Sequence, residues 1–257
     1  MRTEFARIVR TAGWIMKRPL LVIAGLMITI FALPPAAYVQ KPAAEKFKHA
    51  IERSEDAARL LTLIAEPNSG FPKELIDKAH MVAVFPQASK QEALVRRFLQ
   101  GYGVISARRE NGWSQPAFYQ FTSAPRKFSG TSEETLALIL LFMNKDAASW
   151  FEKDASKFKG DNGGTLGPIG AITQEQLTQM AGAPIVAYTY YNGKLNGNKI
   201  DPDFFKDFSL NQDNNINKPL YGVKGHAVLS GQKISSTSVP PGIHAFQEAL
   251  QKYWGTR

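Results

Sequence analysis

Nine consecutive residues, Thr135 to Met143 (TLALILLFM), hold no charge and no residue that breaks regular structure. A run this short and this evenly apolar suits a strand covered on both faces, since a strand exposed on one face would alternate. The core is expected to form around it. Asn144 ends the run and is placed to cap a short helix over Lys145 to Lys153, with Ala148, Trp150 and Phe151 folding back on the strand. A glycine-rich stretch, FKGDNGGTLGPIG from Phe158 to Gly170, then follows.

Two Asn-Gly pairs mark hairpins, because both central residues of a type I′ turn need positive φ. Asn111-Gly112 joins Tyr102–Arg108 to Ala117–Thr122, and Asn192-Gly193 joins Ile185–Tyr191 to Lys194–Ile200. A further apolar strand, Met81 to Phe85, is closed by Pro86. Around these strands the spacing predicts an amphipathic helix from Lys41 to Glu66, a short one from Pro72, and one opened by Thr173 with Gln176 as its capping-box partner. Asp201-Pro202-Asp203 reads as another helix start, and Ile243–Trp254 as a closing amphipathic helix. Strands joined locally point to an α+β fold: a mainly antiparallel β-sheet or barrel-like core, with helices packed at its ends and an N-terminal hydrophobic helix before it.

That first helix falls in residues 1–40, where Arg2, Arg7, Arg10, Lys17 and Arg18 precede the apolar run Leu20 to Leu33. The segment reads as an export signal or a membrane anchor, and residues 41–257 as one domain delivered across the membrane. The protein is therefore expected in the cell envelope, periplasmic or held on the cytoplasmic membrane by residues 20–39. Of the net charge of +9, residues 1–40 carry +4. The remaining +5 on 217 residues fits loose attraction to an anionic surface better than a dedicated nucleic-acid binder. The absence of cysteine excludes disulfides, thiolate chemistry and cysteine metal sites.

Basic pairs supply the candidate binding residues: Arg96 and Arg97, Arg108 and Arg109 at the first hairpin tip, and Arg126 with Lys127. Exposed guanidinium groups at hairpin ends suit bidentate phosphate contacts. Adjacent strand residues face opposite ways, so Arg108 and Arg109 serve one site only if the strand has already ended. The alternative is a solvated basic edge that discourages edge-to-edge pairing. Trp113 and Phe128 are placed either to enter a bilayer interface or to cover the core. The glycines between Gly160 and Gly170 are read as tight turns, since no GKS or GKT follows as a phosphate-binding loop requires. His49, His80, His226 and His244 are scattered, so neither a metal site nor a cofactor is expected. Ser230 near His226 lacks the G-x-S-x-G elbow of a hydrolase, and Asp213–Asn217 (DNNIN) lacks the terminal glutamate of a calcium loop and reads as a helix cap.

Six pieces in order carry a resemblance: PKELIDKAHMVAVFP (72–86), QGYGVISARRENGWSQPAFYQFT (100–122), LALILLFMNKDAASWF (136–151), FKGDNGGTLGPIG (158–170), VAYTYYNGKLNG (186–197) and NQDNNINKPLYG (211–222). The chain resembles the SYLF lipid-binding family, as a divergent bacterial exported member. Gln87–Leu99 departs from that family's glycine-dense pattern and reads as helical. The resemblance implies a strand-rich α+β domain, no enzymatic activity, and binding of phosphoinositides or other anionic phospholipids at a membrane surface. A second reading, a structural protein of the envelope docking a protein partner, stands beside it.

Overall fold

Sequential pairing of long strands dominates the body. The computed structural model describes residues 45, 47–93, 96–123, 135–151, 157–159, 163–196, 200, 202–232, 234 and 239–255, of which 90–93, 96, 97, 157–159, 196, 202 and 203 are described by their backbone alone. Helices α1 (Lys48–Ala65) and α2 (Lys73–Lys78) lead into strands β1 (Met81–Ala93), β2 (Arg96–Arg109), β3 (Gly112–Trp113), β4 (Ala117–Ser123) and β5 (Thr135–Phe142). Helix α3 (Lys145–Ser149), strands β6 (Lys157–Lys159) and β7 (Thr165–Leu166), helix α4 (Gln174–Gly182) and strands β8 (Ile185–Tyr191) and β9 (Lys194–Asn196) follow. A 3-10 turn (Pro202–Asp207), β10 (Ser209–Gln212), α5 (Asn214–Tyr221), α6 (Gly225–Leu229), a second 3-10 turn (Pro241–His244) and α7 (Ala245–Trp254) complete it.

The strands form one sheet in the order β6, β10, β4, β2, β1, β5, β8, β7, with β3 beside the end of β2 and β9 beside β8. Every pairing is antiparallel except β7 with β8. The barrel-like alternative is corrected: the path starts at β6 and ends at β7, no barrel closes, and the sheet is open. Residues paired across antiparallel strands share a face. Val84, Val104, Phe118, Ile139 and Tyr188 form a row on one face, and Ala83, Ile105, Ala117, Leu140 and Ala187 a row on the other. On the first face Phe71 lies on Tyr188 at 4.8 Å and Arg53 of α1 lies over Tyr102. On the second, Phe208 stacks on Phe121 at 5.8 Å and Phe151 meets Phe142 at 5.0 Å. β5 is buried at every position after Thr135, as its uniform apolarity requires.

Several expectations change in detail. Gln87–Leu99 is not helical: β1 runs through Pro86 to Ala93 and β2 starts at Arg96, giving a long hairpin. Pro86 is carried in a one-residue bulge, since Val84 pairs with Val104 but Gln87 with Tyr102. Gly103 stands opposite, where a Cβ would strike Val84 O and lie 2.7 Å from Phe85 Cδ1. At the first hairpin Arg109 pairs with Gly112, so the turn residues are Glu110 and Asn111, one position earlier than expected. At the second, Asn192 and Gly193 have φ of 48° and 77°, as a type I′ turn demands.

α1 packs on the sheet and on α7. Its buried Ser54 donates to Ile243 O at 2.7 Å and accepts from Phe246 N at 3.2 Å. The capping box of α4 is present, with Thr173 and Gln176 bonded both ways. The core cluster and the side chains packed on it all lie between Phe47 and Trp254, inside the compact unit Lys41–Arg257. Among the described residues no helix is long and apolar enough to cross a membrane, and the expected N-terminal helix lies outside them.

Candidate functional site

The two arginines that end β2 define the site by their difference. The strand continues through Arg109, so Arg108 and Arg109 project to opposite faces. Arg108 enters the side covered by α2 and α7. Its guanidinium donates to Ile76 O at 2.9 Å, Ala79 O at 3.1 Å and Trp254 O at 3.1 Å, and it lies 4.1 Å above the Trp113 ring. Those carbonyls close the ends of two helices, where a cation is favoured by the helix dipole. Arg108 is a tie between helices and sheet.

Trp113 belongs to the same tie. It is 4 % exposed, and its indole N–H donates to Trp254 O at 3.3 Å while its carbonyl accepts from the Gln247 amide at 2.7 Å. Of the two readings for Trp113, the structure has the one that covers the core.

Arg109 faces the other way, into an open cleft of about 1280 Å³ where the ends of β1 and β2 meet α3 and the turn after α6. Apolar side chains from four elements line its inner part: Met81, Ala107, Ala148, Phe151 and Leu229. Polar residues share the lining, half-buried Arg109, Ser149 and Ser230 and exposed Lys145 among them. Gly231 faces the Arg109 guanidinium, 3.8 Å from where a Cβ would stand to Nε. The carboxylates Glu110 and Asp146 also line the cleft. Because the Arg108 guanidinium is turned to the other face, Arg109 and Lys145 are balanced in the described lining by these two carboxylates.

α3 is fixed locally. Asn144 caps it by accepting from Ala147 N at 2.8 Å, and Ala147 and Phe151, four residues apart, turn inward. Phe151 meets Phe142 and, at 5.6 Å, Tyr119, whose hydroxyl ionisation is pushed up by burial. Trp150 does not fold back on the strand as expected: it is 40 % exposed. The i,i+4 spacing of Ala147 and Phe151 is the sequence signal that would have put Trp150 outward.

The other expected site residues do not converge here. Arg96 and Arg97 lie in β2 opposite Ala93 and Glu92. At about 3.3 Å per residue, Arg97 is roughly 36 Å along the strand from Arg108. Arg126, Lys127 and Phe128 lie outside the described residues. Lys145 and Ser149 are new to the site, and nothing in their local sequence sets them apart from a solvated helix face.

Other candidate chemistry is absorbed by the fold. In DNNIN, Asp213 makes an ion pair with Arg53 at 3.0 Å instead of capping α5, Asn214 accepts from Gly225 N, and Asn217 bonds both the N–H and the carbonyl of Phe118 at 2.9 Å. Ser230 Oγ donates to Ala227 O at 3.1 Å. In the glycine-rich stretch, Thr165 and Leu166 pair with Val186 and Ala187, and Gly167 lies so close to the Tyr188 ring that a Cβ would collide with it. Positive φ at Gly163 and Gly170, 82° and 95°, fits the tight turns expected of this stretch, whereas Gly167 serves close approach beside the β7–β8 pairing. A second, smaller groove of about 250 Å³ lies between α1 and Tyr102, lined by His49, Glu52, Arg53, Asp56, Pro86 and Gln87. Its charges are mixed, and Glu52 already meets His49 at 3.1 Å.

No protein-family model matches the chain, and no curated protein sequence matches it.

Proposed function

We propose that the body, Lys41–Arg257, is a non-enzymatic module that holds anionic phospholipid at a membrane surface, as an exported protein of the cell envelope. The resemblance to SYLF domains suggests the class, and the observation that carries the reading is the cleft at Arg109. A phospholipid presents a phosphate beside an apolar chain, and this cleft sets the cations Arg109 and Lys145 beside the buried apolar residues Met81, Ala107, Phe151 and Leu229. Arg109 and Lys145 take the phosphate, by an attraction that salt screens.

Co-sedimentation of the body with vesicles of zwitterionic or anionic phospholipid, across a salt series, tests this. The expected result is binding to anionic vesicles that weakens with salt and falls roughly tenfold when Arg109 and Lys145 are both changed to alanine. Binding to neither vesicle would remove the lipid reading and favour a protein partner.

A further inference from the structure

We infer that the cleft selects, among anionic phospholipids, a headgroup that carries a primary ammonium beside its phosphate, as phosphatidylserine does. The inference rests on the lipid reading and adds the identity of the headgroup.

Charges of both signs stand side by side on each of two walls. At the end of β2 Arg109 is followed by Glu110, at the start of α3 Lys145 is followed by Asp146, and all four line the cleft. Glu110, Lys145 and Asp146 are exposed, and among the described residues no ion pair engages any of the three. The smaller groove beside α1 is different. There Glu52 already meets Lys48 and His49, and Asp56 is bonded by Arg59. Both walls of the cleft are also held in place, since Arg109 pairs in register with Gly112, Asn144 caps α3, and Phe151 packs on Phe142. The charged positions are thus set by backbone that is ordered before any ligand arrives.

This pattern decides between headgroups. One whose only charge is its phosphate is drawn by Arg109 and Lys145 and repelled by Glu110 and Asp146, so the same lining works for it and against it. An ammonium in the headgroup gives the two carboxylates a donor and turns that repulsion into attraction. A headgroup with a carboxylate as well stays anionic overall, its anionic groups meeting the two cations and its ammonium the two carboxylates.

Phosphatidylserine and phosphatidylglycerol carry the same net charge and differ in the ammonium, so they separate this selection from plain attraction to an anionic surface. Vesicles of phosphatidylcholine doped with equal fractions of one or the other are sedimented with the body, in a chelator so that no divalent cation bridges carboxylate and phosphate. The expected result is about fivefold tighter binding to the phosphatidylserine vesicles. Glu110→Gln combined with Asp146→Asn should abolish that preference and raise binding to phosphatidylglycerol, because the repelling charges are gone. Each substitution alone should remove part of it. Equal binding of the two lipids by the native body, or a preference that survives in the double variant, would overturn the inference and leave the lipid reading standing. No binding to either vesicle would overturn both. Thermal melts matching the native body show that the variants, altered only at exposed side chains, are folded.

Discussion

Arg108 and Arg109 are neighbours in sequence with the same side chain, and they do opposite work. Arg108 points into the layer of α2 and α7, where three main-chain carbonyls and the face of Trp113 surround its guanidinium. Arg109 points across the sheet to an open cleft with Lys145 on its far wall. One step of strand alternation separates a structural tie from a binding candidate. What distinguishes them is the set of acceptors that the fold delivers: the carbonyls of Ile76, Ala79 and Trp254 hold one guanidinium in place, while the other stands in the lining of an open cleft.

If this contrast is correct, substitutions should sort by side of the sheet. Arg108→Ala should cost most, about 3 kcal/mol in urea unfolding, because it removes three charge-assisted hydrogen bonds that tie two helix ends to the sheet. Arg108→Lys should recover less than half of that, since one ammonium cannot reproduce the fork. An equal cost for Arg108→Ala and Arg109→Ala would break the comparison outright. Asn217→Ala, which removes both bonds to the Phe118 main chain, should cost about 2 kcal/mol in the same assay and leave vesicle binding unchanged. Trp113→Phe should cost about 1 kcal/mol, the indole bond to Trp254 and part of the stacking on Arg108 being lost. Arg109→Ala should change stability least, by under about 1 kcal/mol, while lowering affinity for anionic vesicles several-fold. A stability loss without an affinity loss would move Arg109 to the structural side.

The same contrast explains how far the sequence could be read. β5, the type I′ turn at Asn192-Gly193 and the capping box at Thr173 were legible because each depends on residues within a few positions of one another. The continuation of β1 past Pro86 was not, because the bulge that admits proline depends on Gly103, a residue in the next strand with no side chain to obstruct it. Openness of the sheet was equally hidden. It depends on which strands end the order, β6 and β7, and both are set there by pairing with strands distant in sequence. In the site, Arg108 and Trp113 carried the same local signal as Arg109, and only the distant carbonyls of Ile76, Ala79 and Trp254 reveal their use. Trp150 was the exception, since the Ala147–Phe151 spacing held the answer.

The hydroxyl of Ser54 joins α1 to partners 189 and 192 residues further along the chain. Contacts across such separations are the slowest to form, because a long loop must close before they return any stabilisation. Folding is therefore expected to be decided late: α1 is made among the first of the described elements, but its apolar face has no complete cover until residues 243–254 arrive. A chain wired in this way completes the packing of its first described helix only when its last one is in place.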